Sequence, residues 1–324
     1  MTTSDITPAG QAAPAALTAP VAVLGATGAQ GGPVVEALLA AGRPVRAVAR
    51  SADKLAHLAA RGIDTRAVDL ADTAALTQAF EGVSGVFAHL PFLPVPELIQ
   101  AWSRSLDQAL SHARVPLTVF TLSGPPSSRP IGVASFDTKA LAKAVLSRSS
   151  APIVAFEPMG YLGNLSAFFS APAVVHADEL RYPLPAEHRQ AWISVEDQAA
   201  LAVAALTHPD LVQRGGLVGQ WLRIGQRLTG PELAESIGQA RGSAVRYVPL
   251  DPDDFGRSLA PVMGPELGAA LAADYHALGS RPTELDLDAD TTAAHTLLNV
   301  PPSSVADWAR TQDWEAAAAI LGAP

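Results

Sequence analysis

The sequence predicts an α/β protein built on a doubly wound parallel sheet, with a smaller, interwoven α+β lobe towards its C-terminal end. From Val21 to about residue 156, short runs rich in β-branched residues alternate with longer amphipathic segments, which is typical of βαβ units. Beyond that point the alternation breaks, and a proline-rich stretch at residues 181–192 is followed by further helical patterns. The first pattern predicts the sheet, and the second predicts the lobe.

Six runs of the alternating region are predicted to be strands. The segments between them place apolar residues at spacings of three and four, as in PVVEALLAAG and TAALTQAFEG, which is the helical period. These two segments end at Gly42 and Gly82, and a glycine commonly follows the last turn of a helix. The predicted strands are residues 21–25, 45–49, 64–68, 85–90, 117–122 and 152–156.

The C-terminal half is predicted to interweave with this sheet. Residues 161–169 and 195–209 have helical patterns, whereas QWLRIG at residues 220–225 has the pattern of a strand that returns to the sheet. Further helices are predicted at residues 229–242 and 264–279.

Composition narrows the classes of function. The chain has 324 residues, of which 31 are acidic and 22 basic, giving a net charge of −9, and it has no cysteine. The bulk charge repels nucleic-acid phosphates, so we expect no nucleic-acid partner. The lack of cysteine excludes disulfides, thiolate nucleophiles and sulfur-ligated zinc, and it fits a reducing cytoplasm. The 8 histidines show no metal-ligand spacing, so we expect no metal site.

The sequence carries no signal for a membrane. No apolar run reaches the roughly 18 to 20 residues that cross a bilayer, and the opening MTTSDITPAGQAAPAALTAP has no basic region ahead of an apolar one. We therefore expect a cytoplasmic protein without a membrane partner. Residues 1–19 lack hydrophobic periodicity and are predicted to be a flexible leader.

A glycine-rich turn follows the first predicted strand and precedes an amphipathic helix. Residues without a Cβ let backbone N–H groups approach a pyrophosphate, which then lies at the positive end of the helix dipole. The alternative is an ordinary strand-to-helix turn. The order of strand, glycines and helix favours a dinucleotide site, and the sheet is therefore predicted to be a Rossmann sheet. The turn consists of Gly25, Ala26, Thr27, Gly28, Ala29, Gln30 and Gly31.

The end of the second strand distinguishes NAD from NADP. An NAD site usually carries a carboxylate about 20 residues after the glycines, but this chain has Arg50 there, with Lys54 one helical turn later. A guanidinium and an ammonium can both donate to a 2′-phosphate. The alternative is that both are solvated surface charges. The local charge favours NADP(H) over NAD(H) as the cofactor.

The chain is predicted to have three parts. Residues 1–19 are the leader, residues 20–160 an NAD(P)-binding Rossmann domain, and residues 161–324 a substrate lobe, from which residues near 195–225 return to the Rossmann core. The apolar character of the second lobe suits a substrate pocket in the cleft between the two.

Five segments, in this order, resemble the NmrA-like family of atypical short-chain dehydrogenases/reductases: VLGATGAQGG, VARSADKL, VDLADTAAL, SFDTKA and EPMGYLGNL. The resemblance covers most of residues 20–250. It implies that the glycine turn holds the pyrophosphate, and that Arg50 and Lys54 hold the 2′-phosphate. It further implies that Asp69 and Leu70 border the adenine, and that Ala88, His89 and Leu90, after the fourth strand, line the cofactor. At the nicotinamide end, the resemblance implies Lys139, Tyr161 and Asn164.

The Tyr-x-x-x-Lys pair of the wider superfamily is missing. In that pair, the lysine lowers the pKa of the tyrosine, so that the phenol exchanges a proton with the substrate oxygen. Here Ser135 stands four residues before Lys139, and none of the tyrosines has a lysine four residues later. The catalytic residues stay unassigned, with Lys139 as a candidate.

Several of these residues have a second interpretation. Lys139 can be a solvated helix lysine, and His89 can be structural rather than a partner of a substrate carbonyl. Ser123 follows the fifth strand, where binding residues gather, but SGPPSSRP is also typical of a loop. Tyr161 and Asn164 can be polar residues on a helix surface.

Two functions fit these observations. The first is an NADPH-dependent oxidoreductase that passes hydride to a small-molecule substrate, a quinone, enone or similar apolar acceptor, with the proton coming from water or the cofactor ribose. The second is a non-catalytic NADP(H)-binding redox sensor that acts through a protein partner. The NmrA-like family includes proteins of both kinds, and the missing tyrosine keeps the sensor as an alternative.

Overall fold

The computed structural model describes residues 19–91 and 93–320, so the predicted leader up to residue 18 lies outside the described residues. The strands are β1 (Val21–Leu24), β2 (Val45–Ala49), β3 (Asp64–Ala67), β4 (Gly85–His89), β5 (Thr118–Thr121), β6 (Ile153–Pro158), β7 (Gly160–Tyr161), β8 (Glu179–Tyr182), β9 (Arg189–Ile193), β10 (Trp221–Ile224), β11 (Gln226–Thr229) and β12 (Arg246–Pro249).

The α-helices alternate with the strands in the first half and dominate the second. They are α1 (Gly31–Ala40), α2 (Ala52–Ala59), α3 (Thr73–Phe80), α4 (Pro96–His112), α5 (Ala134–Leu146), α6 (Ala171–Ala177), α7 (Val195–Thr207), α8 (Pro209–Arg214), α9 (Gly230–Arg241), α10 (Pro252–Met263), α11 (Pro265–Ser280), α12 (Ala293–Leu298), α13 (Val305–Arg310) and α14 (Trp314–Ala319). None of these described helices combines the length and the apolar character needed to cross a bilayer.

Seven strands form one sheet in the order β10-β6-β5-β4-β1-β2-β3, and every neighbouring pair is parallel. The chain starts at β1 in the middle, runs outwards to β3, returns to β4 on the other side of β1 and continues to β10. This order confirms the predicted doubly wound Rossmann sheet. The connections after β1 and β4 leave in opposite directions, which opens a crevice at the carboxyl ends of these strands.

Alternate residues of β1 enter two apolar layers, one on each face of the sheet. Val21 and Val23 pack with α1, α2 and α7, whereas Ala22 and Leu24 pack with α3, α4 and α5. This two-residue period follows from the alternation of side chains along a strand. Because both faces are covered, the strand carries apolar residues without interruption, as in VAVL.

The second lobe has its own apolar cluster and two small sheets. In one sheet, β9 lies between β11 and β7, antiparallel to β11 and parallel to β7, and in the other β12 pairs in parallel with β8. Trp192 of β9 and Tyr182 of β8 are buried in this cluster, and their rings meet edge to face with centroids 5.5 Å apart. Later helices close the cluster with Ile237, Trp308 and Trp314.

The two halves interweave. After forming β7, β8 and β9 of the second lobe, the chain returns to the large sheet. Strand β10, within the segment 220–225 that is predicted to return as a strand, pairs with β6 and forms one edge of the large sheet. Helix α7 packs against α1 and fills one face of the sheet with Leu201, Ala202 and Ala205.

The prediction of a helix at residues 161–169 is wrong. The chain there forms the short strand β7 and a single 3-10 turn, Leu162–Asn164. The physical reason lies at Gly160, where a Cβ would stand 2.8 Å from the Gln190 side chain and 2.9 Å from the Trp192 ring. Pairing of β7 with β9 at this close approach outweighs the helical spacing of the side chains.

Candidate functional site

The glycine turn joins β1 to α1 in a conformation that requires glycine. Gly25 has a φ of +76°, in the left-handed region that side chains with a Cβ avoid. The N–H of Gly28 donates to the carbonyl of Gly25 at 2.9 Å. A Cβ on Gly31 would lie 2.3 Å from that same carbonyl oxygen. Helix α1 therefore starts directly against the end of β1. In its first turn, the N–H of Gly32 donates to the carbonyl of Gly28 at 2.9 Å, and Pro33 has no N–H.

A cavity of about 210 Å³ opens in front of this turn. We call it the glycine-turn cavity. It lies at the carboxyl ends of β1, β2 and β4, which is where a doubly wound sheet binds its ligand. Its lining residues are Leu24, Gly25, Thr27, Gly28, Ala49, Arg50, Ser51, Lys54, Val68, Leu70, His89 and Pro91.

The structure brings together seven of the predicted cofactor residues in this cavity: Gly25, Thr27, Gly28, Arg50, Lys54, Leu70 and His89. Others lie apart from it. Ala26 and Ala88 are buried in the two apolar layers of the sheet. Asp69 is exposed, and its carboxylate accepts from the N–H of Ala71 at 2.8 Å.

Two cations stand at one end of the glycine-turn cavity. Arg50 follows β2 and Lys54 lies in the first turn of α2, and both are exposed. By contrast, Arg46 on β2 is held by the carboxylate of Asp64 at 2.7 Å. Ser51 lies between the two cations, and its side chain caps α2 by accepting from the N–H of Lys54 at 3.3 Å. Sequence reasoning missed Ser51, although its place as a helix cap right after a strand could have indicated it.

His89 forms the opposite wall, at the end of β4. Its Nε2 lies 2.2 Å from the position that a Cβ on Gly25 would take. Its Nδ1 is 3.4 Å from the carbonyl oxygen of Leu90, whereas Nε2 is buried and has no hydrogen-bond partner among the described residues. Burial lowers the pKa of His89, which favours the neutral imidazole. With the proton on Nδ1 facing Leu90, Nε2 is an acceptor.

A second, narrow cavity of about 20 Å³ adjoins the first at Pro91. We call it the lysine cavity. Leu90 lines it, and so do Ser123 and Lys139, which sequence reasoning left ambiguous. Its lining residues are Leu90, Pro91, Leu93, Ile99, Thr121, Leu122, Ser123, Ser135, Thr138, Lys139 and Ala142.

Lys139 is not a solvated helix lysine, because only 8% of it is exposed. Its ammonium lies 5.0 Å from the ring centroid of Phe136, and a Cβ on Gly124 would be 3.1 Å from its Nζ. Burial lowers the pKa of Lys139 to about 8, while the negative charge of Asp274 opposes this change. Lys143, one turn further, points elsewhere and pairs with Glu157 at 2.7 Å.

Tyr161 belongs to a buried hydrogen-bond network next to the glycine turn. Its hydroxyl donates to Oε1 of Gln198 at 2.8 Å, and Thr121 donates to the same atom at 3.3 Å. The amide of Gln198 in turn donates to Gln30, at the start of α1, at 3.5 Å. Burial raises the pKa of Tyr161, so the phenol stays protonated at neutral pH. The network thus ties the end of β5 and helix α7 to the glycine turn.

Asn164 lies apart from Tyr161 in spite of their closeness in sequence. Its side chain forms a hydrogen bond with Tyr182 of the second lobe, and it lines neither the glycine-turn cavity nor the lysine cavity. The 3-10 turn after β7 directs the two side chains to different parts of the molecule.

A model of the NmrA-like family matches residues 18–308, which extends well past the last motif visible in the sequence. The NAD(P)H azoreductase of Xenophilus azovorans is 29% identical over 259 residues, or 80% of this chain and 86% of that protein. An Escherichia coli NADPH-dependent quinone oxidoreductase, solved with NADPH, is 24% identical with a TM-score of 0.69, covering 89% of this chain and 98% of its own. NmrA, a negative transcriptional regulator solved with NADP, is 17% identical with a TM-score of 0.71, covering 92% of this chain and 99% of its own. At these identities the two solved structures show the shared fold, and the family model, which matches most of the sequence, shows that this chain belongs to the NmrA-like family.

Proposed function

We propose that the protein is an NADPH-dependent oxidoreductase that transfers hydride to a quinone, enone or similar small apolar acceptor. The observation that carries this proposal is the glycine-turn cavity, in which the glycines after β1 and two cations line one space. The azoreductase relative and the quinone oxidoreductase of the same fold support a reductase. When bound, NADPH would supply the hydride at C4 of its nicotinamide ring.

The residues of the glycine-turn cavity fit a dinucleotide. A Cβ at Gly25 would meet the His89 ring and one at Gly31 the carbonyl of Gly25, so glycine at these positions allows β1 and α1 to pack closely. The cavity in front of the turn is lined by Gly25, Thr27 and Gly28, where a diphosphate would meet the remaining N–H groups of the turn. The buried Nε2 of His89 faces the turn without a partner among the described residues. It would accept a hydrogen bond from a sugar hydroxyl of the dinucleotide.

The cofactor preference follows from charge at the end of β2. Arg50 and Lys54 line the cavity with their head groups exposed, and the residue that follows β2 is a cation where NAD sites place a carboxylate. A 2′-phosphate would complete this end of the cavity through charge-assisted hydrogen bonds, with Ser51 as a further donor. We therefore propose NADP(H) as the preferred cofactor.

The lysine cavity is the proposed acceptor end of the site. Ser123 follows β5 and Lys139 lies on α5, and both line this cavity together with Leu90 and with Pro91, at which it adjoins the glycine-turn cavity. The ammonium of Lys139 would hold and donate the proton that the acceptor oxygen needs after hydride arrives. At about 20 Å³ this cavity admits a water-sized group and not a ring, so the acceptor would present only its oxygen to Lys139.

Steady-state oxidation of NADPH and NADH, tested with naphthoquinones, an enone and an azo dye, is the experiment for this proposal. We expect acceptor-dependent oxidation with a higher kcat/KM for NADPH than for NADH. Saturable binding of NADPH without oxidation by any acceptor would overturn the reductase proposal. No binding of either nucleotide would overturn the cofactor proposal as well.

The second candidate function is a redox sensor that binds NADP(H) and acts through a protein partner. The shared fold with a negative transcriptional regulator favours it, and so does Ser135 at the position of the superfamily tyrosine. A sensor would bind NADP and NADPH with different affinities and would not turn over. Measurement of both affinities together with the acceptor assay separates the two functions.

A further inference from the structure

A carboxylate from the second lobe contacts Ser135, which lines the lysine cavity. Asp274 lies on α11, which packs against α5, and it accepts a hydrogen bond from the hydroxyl of Ser135. Ser135 is 3% exposed and stands four residues before Lys139 on α5. Residues four apart share one face of a helix, so Lys139 lies on the same side of α5 as Ser135, the side that faces Asp274.

We propose that Asp274 is a positioning residue that, held by Ser135, keeps the Lys139 ammonium charged inside the lysine cavity. The inference rests on the proposed function, in which that ammonium faces the acceptor. In the tyrosine-containing pair of the superfamily, a lysine tunes a phenol. Here the side chain four residues earlier is a short hydroxyl that fixes a carboxylate, and the carboxylate tunes the lysine.

The surroundings of Lys139 favour the loss of its proton, and a nearby carboxylate opposes this loss. A buried ammonium loses its proton readily unless an opposite charge lies near it. The groups that line the cavity from α4 and β5 are uncharged, as Ile99, Thr121 and Ser123 show. Burial lowers the pKa of Lys139 to about 8, and Asp274 is the charge that opposes this fall.

The other charged groups of α5 act elsewhere. The carboxylate of Asp137 accepts from the N–H groups of Ile131 and Gly132 at 2.9 and 3.0 Å, and Lys143 pairs with Glu157. On α11, the neighbour of Asp274 is Tyr275, and burial raises the pKa of this phenol well above its usual range, so it stays neutral.

Asp274 and Lys139 each change the pKa of the other. Burial raises the pKa of Asp274, while the hydroxyl of Ser135 and the charge of Lys139 lower it. If Ser135 is removed, the carboxylate loses a hydrogen bond to its charged form, becomes easier to protonate and supports the ammonium less.

The sequence makes a direct test practical, because its only lysines are Lys54, Lys139 and Lys143. In protein labelled with ¹³C-lysine, the Cε signals report the protonation of each ammonium, and Lys54→Arg and Lys143→Arg variants assign them. We expect Asp274→Asn to lower the titration midpoint of Lys139 by about one pH unit. Ser135→Ala should lower it by less, and Ser135→Thr should restore it.

Asp253→Asn is the matched control, since it removes an exposed carboxylate of the same lobe that faces His276, and it should leave the midpoint of Lys139 unchanged. Near-UV circular dichroism checks that each variant is folded. An unchanged Lys139 midpoint in folded Asp274→Asn protein would overturn the inference, whatever happens to turnover.

The same variants separate this inference from the proposed function. If the protein is a reductase, the alkaline limb of its kcat/KM profile in Asp274→Asn should move to lower pH by the shift seen in the Lys139 signal. If the signal shifts but no acceptor is reduced, the coupling of Asp274 to Lys139 stands and the reductase proposal fails.

Discussion

The Nε2 atom of His89 lies 2.2 Å from the point that a Cβ on residue 25 would occupy. The imidazole at the end of β4 therefore occupies the space that a side chain at residue 25, at the end of β1, would need. The two residues face each other across the switch point of the sheet. Their contact fixes one wall of the glycine-turn cavity, and it makes the size of residue 25 a test of the site.

Gly25→Ala should lose dinucleotide binding and stability together. An alanine at residue 25 must adopt a φ of +76°, and its methyl group must displace the His89 ring. We expect this to cost about 1–3 kcal/mol of unfolding free energy. Gly42→Ala is the control, because Gly42 has a similar φ of +66° but nothing within 4 Å of its Cβ. Urea unfolding should show a loss for both variants, whereas a fluorescence titration with NADPH should show weaker binding for Gly25→Ala alone. Equal binding by both variants would refute the assigned cradle.

Acid sensitivity of the fold should depend on His89. Its pKa in the folded protein is lowered from 6.5 by burial, so its contribution to stability is complete above pH 6.5 and is lost as the pH falls towards the folded-state pKa. His89→Leu removes this group. As the pH is lowered from neutral to below 6.5, the free energy of unfolding should then fall less in the variant than in the wild-type protein. His57→Leu, at an exposed position on α2, should leave the acid sensitivity as it is. If His89→Leu retains the full loss, the imidazole is not held neutral by burial.

Arg50→Asp should lower the preference for NADPH over NADH. A charge-assisted contact to phosphate contributes about 1.5–3 kcal/mol, so the ratio of the two Kd values should change by about 10- to 100-fold. Arg104→Asp, on the exposed side of α4, alters the net charge by the same amount and serves as the control. An unchanged ratio in Arg50→Asp would remove the 2′-phosphate from this end of the cavity.

Tyr161→Phe should weaken the link between α7 and the glycine turn. It deletes the hydroxyl that donates to Gln198 at 2.8 Å and should cost about 1 kcal/mol of unfolding free energy. Tyr247→Phe deletes a hydroxyl that donates to the carbonyl of Leu184 at 2.7 Å and should cost a similar amount. The Kd for NADPH should rise in Tyr161→Phe only, because Gln198 also contacts Gln30. A rise in both variants would assign the effect to general destabilisation.

The predicted residues that the structure brings together in the glycine-turn cavity are encoded locally. Strand β1, the glycine turn and α1 follow one another without interruption, so spacing alone locates them. Arg50 and Lys54 are similarly close to the end of β2, and the parallel pairing of β1 with β2 carries them to the same edge of the sheet.

The part that the sequence does not predict depends on contacts between distant segments. Asp274 meets Ser135 although 139 residues separate them, and no short motif records such a contact. The helical spacing of residues 161–169 was misleading because pairing between β7 and β9 decides the backbone there. Asn164, three residues from Tyr161, consequently turns to Tyr182 rather than to the site.

Helix α7 and strand β10 lie after residue 160 in sequence, but α7 packs against α1 and β10 extends the large sheet beyond β6. A fragment ending near residue 160 would lack α7 and so uncover the part of the sheet face at β4 and β5, where Phe87 and Val119 lie. Such an apolar surface associates with others. The halves are therefore not interchangeable modules. A chimera that borrows a relative's second lobe has to keep residues 195–224 together with the first half.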